Sequence, residues 1–274
     1  MVKHDKALLI KNYLSNLQVD VHVASYTHCP RSWADFNYVP DYNKFYYICD
    51  GEGWLKIGNE EYYPRVGQLF LMPAGVMQSY STISDNTFKK YWCHFTAKVG
   101  EMNLFDIVRT PVFVDVDEDW KLKGLFEALV DSYNSGCFTK VLRLKGIMME
   151  IIAWYFDKLS LDDVQLYAYS STQELGKVLA FIESHLNDNV TIDDLARIVH
   201  FHPNYFIKFF RDHLGCSPMQ YINRLRLEKA KHLLKTTDLT VKEIADAIGF
   251  NDAGYFSKVF KRYAGFSPQE FRNV

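Results

Sequence analysis

Thr191-Ile192-Asp193-Asp194-Leu195-Ala196-Arg197-Ile198-Val199-His200-Phe201 returns, about 49 residues later, as Thr240-Val241-Lys242-Glu243-Ile244-Ala245-Asp246-Ala247-Ile248-Gly249-Phe250. The echo continues with a slip of one residue: Tyr205-Phe206, Phe210-Arg211, Gly215 and Ser217-Pro218 answer to Tyr255-Phe256, Phe260-Lys261, Gly265 and Ser267-Pro268. Each copy predicts a capped short helix, a tight turn, a second helix and a glycine stop, which is how a helix-turn-helix is written. Two such units on one chain can address neighbouring stretches of major groove, so double-stranded DNA is the expected partner.

The residues inside each copy have assignable jobs. Thr191 and Thr240 suit the N-cap, Asp193-Asp194 place negative charge in a first turn, and Glu243 completes a capping box. Ala196 and Ala245 are small where two helices must approach closely. Pro203 opens a helix at the position where its missing N–H costs nothing. His200 stands where the second copy has Gly249, a turn position that histidine tolerates better than most residues. On the second helix of the first copy, Phe206, Phe209 and Phe210 share an inward face. Asn204, Ile207, Lys208 and Arg211 share the other: Asn204 and Lys208 can bond base edges, Ile207 can touch a thymine methyl, and Arg211 suits a phosphate. The competing reading makes Ile207 a widening of the apolar stripe. In the second copy Phe256, Val259 and Phe260 face inward, leaving Ala253, Gly254, Ser257, Lys258, Lys261 and Arg262 outside, a set with more backbone affinity than base discrimination. Pro218 to about Leu234 reads as one continuous helix, a rod of roughly 25 Å able to hold two reading helices about one DNA turn apart.

At these residues the stretch from about Glu174 to Arg272 resembles the AraC/XylS family of bacterial transcription regulators. The pieces that carry the resemblance are Arg224-Leu225-Arg226-Leu227-Glu228-Lys229-Ala230-Lys231, Glu243-Ile244-Ala245 with Gly249-Phe250, and Tyr255-Phe256-Ser257 with Phe260-Lys261, Gly265 and Ser267-Pro268. The resemblance implies two helix-turn-helix units in consecutive major grooves. It puts base contacts on Asn204, Ile207 and Lys208, and on Ala253, Gly254, Ser257 and Lys258. Ala253-Gly254 departs from the polar pair often found there, which weakens base readout by the second unit.

Ahead of this region the chain changes character. Up to roughly Thr110, aromatic and β-branched runs (Phe45–Ile48, Trp54–Ile57, Gln68–Met72, Phe88–Phe95) alternate with turn material, as in a sandwich or barrel. From Trp120 to Leu159 apolar residues recur at three and four, predicting two amphipathic helices broken at Asn134-Ser135-Gly136. Leu144, Met148, Ile151, Ile152 and Tyr155 exceed what a lone hairpin needs; they cover the barrel or a second copy of the chain. Ser160–Thr172 reads as a linker. The expected fold class is α+β in two domains. Residues 1–165 form a cupin-like β-barrel with a helical dimerisation hairpin that binds ligand, and residues 172–274 form an all-α DNA-binding domain with two helix-turn-helix units.

Gly67 to Gln78 resembles the second half of a cupin motif, a strand ending at Pro73-Ala74-Gly75. The histidine that follows in metal-binding cupins is replaced by Gln78, and Phe45–Lys56 has no histidine pair, so neither a metal nor another cofactor is expected. A barrel without a metal can still hold a small molecule. Period two puts Trp92 and His94 on one face of their strand and Tyr91, Cys93 and Phe95 on the other, and one set must point inward. Trp92 with His94 suits a sugar, the ring stacking on a pyranose and the imidazole reading a hydroxyl. His28, Arg31 and Trp33, on an arm before the barrel, and Tyr47 complete the expected ligand-binding set, against the alternative that these aromatics are ordinary core. Resemblance to sugar-responsive regulators points the same way and implies a homodimer, with RNA polymerase as a further partner; the sequence does not decide between activator and repressor.

Composition limits the rivals. The 274 residues carry a net charge of −2, so any DNA affinity comes from local clusters such as Lys208, Arg211, Lys258, Lys261 and Arg262. No apolar run approaches the ~18 residues of a membrane span. Five scattered cysteines without a Cys-x-x-Cys pair fit a reducing cytoplasm. The rival class is an enzyme, either a cupin-type catalyst or a DNA-repair methyl acceptor fused to such units. The latter needs an activated cysteine, and Cys29-Pro30-Arg31 lacks the neighbours that activate one. No catalytic residue is expected.

Overall fold

The computed structural model describes residues 3–116, 120–166 and 170–273. The chain divides into two compact units, residues 1–167 and 168–274. The linker expected over 160–172 is not one featureless run. Gln165–Leu166 pairs as a short strand with Val108–Arg109, a helix begins at Ser170, and residues 167–169 lie outside the described residues.

The first unit opens with helix α1 (Lys3–Ser15) and then runs β1 (Leu17–His28), β2 (Ala34–Tyr38), β3 (Asn43–Asp50), β4 (Trp54–Ile57), β5 (Glu60–Tyr62), β6 (Gln68–Met72), β7 (Gln78–Ser81) and β8 (Lys89–Val99). Short elements β9 (Met102–Asn103), α2 (Leu104–Ile107), β10 (Val108–Arg109) and β11 (Phe113–Asp115) follow. The helical hairpin α3 (Trp120–Asn134) and α4 (Lys140–Asp157) comes next, and β12 (Gln165–Leu166) closes the unit. One sheet has the order β1-β8-β3-β6-β11, with β9 beside β8; the other has the order β2-β7-β4-β5. Tyr46, Ile48, Phe70 and Met72 from the large sheet, with Phe88 just ahead of β8, pack against Leu55, Ile57, Tyr62 and Tyr80 from the small one. The opposite face of the large sheet is buried as well, under the hairpin: Phe45 meets Tyr155 at 5.5 Å between ring centroids, and Tyr91 meets Phe126 at 6.0 Å. Covered on both faces, β3 and β6 lose the polar–apolar alternation of a half-exposed strand and read as apolar runs. Leu144, Met148, Ile151, Ile152 and Tyr155 are all spent on this internal packing.

The second unit is helical: α5 (Ser170–Ser184), α6 (Ile192–Ile198), α7 (Pro203–Leu214), α8 (Pro218–Thr236), α9 (Val241–Ala247), α10 (Ala253–Ala264) and α11 (Pro268–Asn273). Its boundaries follow from local chemistry. The Thr191 hydroxyl accepts from the Asp194 amide at 3.2 Å while the Asp194 carboxylate accepts from the Thr191 amide at 3.1 Å, and Thr240 with Glu243 repeats the box at 3.2 and 2.7 Å. Asp194 thus closes a box in the first copy, where the sequence pattern points to one only in the second. His202 and Asp252 cap α7 and α10. The turns need a left-handed residue, supplied by His200 (φ 55°) and Gly249 (φ 81°).

Arg226, on α8, ties this unit together. Its Nε donates to the Leu186 carbonyl at 2.9 Å and its Nη2 to the Asp188 carbonyl at 2.6 Å, so the loop before the first helix-turn-helix is pinned to the central helix. The same guanidinium lies 5.7 Å from the centroid of Phe250, in the turn of the second copy. A Cβ built on Gly249 would lie 2.7 Å from Arg226 Nη2 and 2.7 Å from the Asn187 carbonyl oxygen. One side chain therefore joins both copies.

Candidate nucleic-acid interface and barrel interior

On α7, Phe206, Phe209 and Phe210 are buried, while Asn204, Lys208 and Arg211 are exposed and Ile207 is half-buried. Positions 204, 208 and 211 recur at four and three, so they occupy one stripe of the helix. On α10, Phe256, Val259 and Phe260 are buried under exposed Gly254, Lys258 and Lys261 and half-buried Ala253 and Ser257. The Ser257 hydroxyl donates to the Ala253 carbonyl at 2.8 Å, which leaves its oxygen to accept. Arg262 stands off this stripe. With Gln220, Asn223, Arg224 and Tyr263 it lines a shallow groove of about 270 Å³ between α8 and α10. Tyr205 and Tyr255, each 57% exposed at equivalent places in the two copies, belong beside these faces. The repeat contains them without assigning them a role; their recurrence where a buried aromatic would be the default is the available signal.

In the first unit, strand parity places Trp92 and His94 between the sheets, with Trp33 from the β1–β2 connection beside them. Trp33 stacks on Tyr80 at 4.4 Å, His94 stacks on Tyr42 at 4.5 Å and lies 4.9 Å from Trp92, and the Trp92 indole donates to the Thr27 hydroxyl at 2.9 Å. The odd set, Tyr91, Cys93 and Phe95, faces the helices. Burial and then the nearby lysines push His94 down to about 4, so its imidazole is neutral near neutral pH.

The other expected ligand residues are not gathered here. Tyr47 is a correction: an odd position on β3, it stacks on Phe126 of α3 at 5.8 Å, on the face away from the sheet–sheet interior. Its place inside is taken by Tyr46. Arg31 is exposed and pairs with Asp85 at 2.9 Å, and His28 is exposed at the end of β1. Gln78 is fully buried with its amide donating to the Pro73 carbonyl at 2.7 Å, so it braces the turn it follows.

Two interior residues stand outside the set expected from sequence. Lys44 and Lys90 are each only 2% exposed. The Lys90 ammonium lies 3.6 Å from the centroids of both Trp33 and Tyr46; the Lys44 ammonium donates to the Tyr38 hydroxyl and lies 4.3 Å over that ring. Burial lowers Lys44 to about 8 and Lys90 to about 7.

Comparison with known proteins agrees with this division. Residues 36–150 match a family described as AraC-like ligand binding domain, and residues 195–273 match one described as helix-turn-helix domain. The chain is 26% identical over 249 residues to the raffinose operon transcriptional regulatory protein RafR of Pediococcus pentosaceus, covering 86% of each protein. It is 23% identical over 234 residues to the lactose operon transcription activator of Staphylococcus xylosus, covering 82% of each. Against the HTH-type transcriptional activator RhaS of Enterobacter sp. (strain 638), identity is 37% over 98 residues, 36% of this chain and 35% of that protein.

Proposed function

We propose, because this chain belongs to the AraC/XylS family of bacterial transcription regulators, that α7 and α10 enter adjacent major grooves of one duplex while a small molecule in the barrel governs how they are presented. The observation that carries the reading is the paired construction of the second unit: two capped helix-turn-helix copies on one central helix, each with its aromatic face buried and its polar face exposed. Asn204, Ile207 and Lys208 read bases; Arg211, Lys258 and Lys261 hold phosphates; Ala253, Gly254 and Ser257 let the second helix approach closely. Arg262, off the stripe, contacts backbone at the edge of the footprint. A sugar or sugar derivative is the proposed effector, since the relatives are named for raffinose and lactose operons and the interior offers indole rings beside a neutral imidazole. RNA polymerase is the further partner of an activator acting from DNA.

The test is fluorescence anisotropy with the protein's own upstream DNA. Lys208→Ala is expected to weaken the specific site by roughly 1–3 kcal/mol and to relax discrimination at one or two base pairs. Arg211→Ala is expected to weaken specific and random duplexes alike and to flatten the salt dependence. Equal losses on both duplexes for Lys208→Ala would remove it from the base-reading set.

We further propose that the chain acts as a homodimer through α4. Leu142, Gly146, Met149 and Ala153 are exposed at spacings of four, three and four, a stripe whose small members allow a partner helix to approach closely. Leu142→Glu with Met149→Glu is expected to halve the apparent mass in sedimentation at micromolar concentration while the helical signal is kept.

A further inference from the structure

Lys44 and Lys90 present an electrostatic problem that the protein alone meets only by loosening their protons. They lie on neighbouring strands, Lys44 opposite His94 and Lys90 opposite Ile48, and both project into the space between the sheets. Among the described residues no carboxylate forms an ion pair with either, and no oxygen or nitrogen accepts from the Lys90 ammonium, whose polar neighbour is the weakly accepting Cys29 sulfur. The Cys29 thiol beside Lys90 is pushed up by burial and supplies no negative charge near neutral pH. Asp35, the carboxylate whose field reaches Lys44, is solvent-exposed. The rings of Trp33, Tyr46 and Tyr38 offset part of the cost, about 1–2 kcal/mol for a desolvated cation–π contact, against several kcal/mol for an ammonium taken out of water. The charge of Lys44 also acts against the protonated form of Lys90. Near neutral pH Lys90 is about half protonated and Lys44 mostly so, with no carboxylate paired to either, and an anion bound among these indole and phenol rings would restore full protonation to both.

We propose that the effector is an anionic sugar, its phosphate or carboxylate held by Lys90 and Lys44, its ring laid against Trp92, and a hydroxyl read by His94. This rests on the reading of the barrel as the effector site and specifies the chemical class that site takes. A phosphate monoester and a carboxylate share the feature that matters, anionic oxygens able to accept from an ammonium. Burial that drags Lys90 down to about 7 marks an ammonium with no anionic partner in the free protein.

The experiment uses the full chain. Thermal shift and titration calorimetry are run with hexose 6-phosphates, hexuronates, their neutral parents, raffinose, lactose and inorganic phosphate, on wild type, Lys90→Met, Lys44→Met and Lys90→Arg. The expected result is that a phosphorylated or uronate member stabilises wild type, binds at least tenfold more weakly to Lys90→Met and Lys44→Met, and is partly restored in Lys90→Arg. Which of the two anion sets does so identifies the source of the charge. Because a buried unpaired charge is replaced by an apolar chain, Lys90→Met is expected to melt no lower than wild type without ligand; Lys90→Gln serves should the methionine variant fail to fold.

Binding of a neutral sugar with equal affinity to wild type and Lys90→Met overturns the anion assignment and leaves the barrel as effector site. Absence of any response to the charged members, inorganic phosphate included, overturns it too. An anion that binds the barrel without changing affinity for upstream DNA keeps the site and instead removes the regulatory reading.

Discussion

Gly249→Ala is expected to destabilise the helical unit by about 2–5 kcal/mol. Two costs add. A left-handed residue with a side chain gives up roughly 1–2 kcal/mol, and crowding in a packed site costs roughly a further 1–3 kcal/mol. The crowding is specific, because the new methyl would sit 2.7 Å from both Arg226 Nη2 and the Asn187 carbonyl oxygen. The equivalent turn residue, His200 at φ 55°, is exposed and already non-glycine. His200→Gly is therefore expected to move stability by less than ~1 kcal/mol. Chemical denaturation of the full chain, followed through the helical circular dichroism signal, measures both. A loss of only about 1–2 kcal/mol for Gly249→Ala would show that turn conformation alone, without the Arg226 contact, sets the cost.

Arg226→Ala is expected to cost about 2–4 kcal/mol by the same measurement, since it removes two charge-assisted hydrogen bonds to carbonyls of the 186–188 loop. A lysine in its place keeps the charge but not the planar fork, so Arg226→Lys is expected to recover less than half of the loss. The two sites are coupled. With the guanidinium gone, part of the obstruction at Gly249 goes with it, and the Arg226→Ala, Gly249→Ala pair is expected to lose less than the sum of the singles. Strict additivity would mean the Asn187 backbone carries the whole clash.

The helical unit is largely legible in the sequence because its signals are local. Thr191, Thr240, Pro203, Gly249 and the glycine stops each fix one boundary with chemistry that acts over three or four residues, and repetition multiplies the signal. The first unit is less so. Strand β1, expected as an arm, is nonetheless legible: Leu17, Val19, Val21 and Val23 alternate with Gln18, Asp20 and His22, though only Val19 and Ala24 are fully buried and the pairing shifts between Val21 and Val23. Helix α1 hides because Ala7-Leu8-Leu9-Ile10 run together instead of recurring at three and four, though Leu9, Ile10 and Tyr13 are buried. Tyr47 reads as interior because β3 has bulky residues on both faces, and only its pairing with β8 shows which parity meets the second sheet. Lys44 and Lys90 escape a sequence reading because a lysine in a strand ordinarily marks the wet side. Parity with Trp92 and His94, already assigned to one face, is enough to find Lys90.

The central helix α8 runs 19 residues, roughly 28 Å, without a break. Its length acts as a gear ratio between protein and operator. Adding one residue would swing one recognition helix around the axis by about 100° and aim it away from the groove. Adding seven would bring the phase back to within ~20° but lengthen the rod by ~10 Å, about three base pairs of DNA, over which the groove has itself turned by a comparable angle to the first error. No insertion of a turn or two satisfies both helices at once, so the number of residues from Pro218 to Thr236 specifies the spacing of the two half-contacts as firmly as any side chain that meets a base.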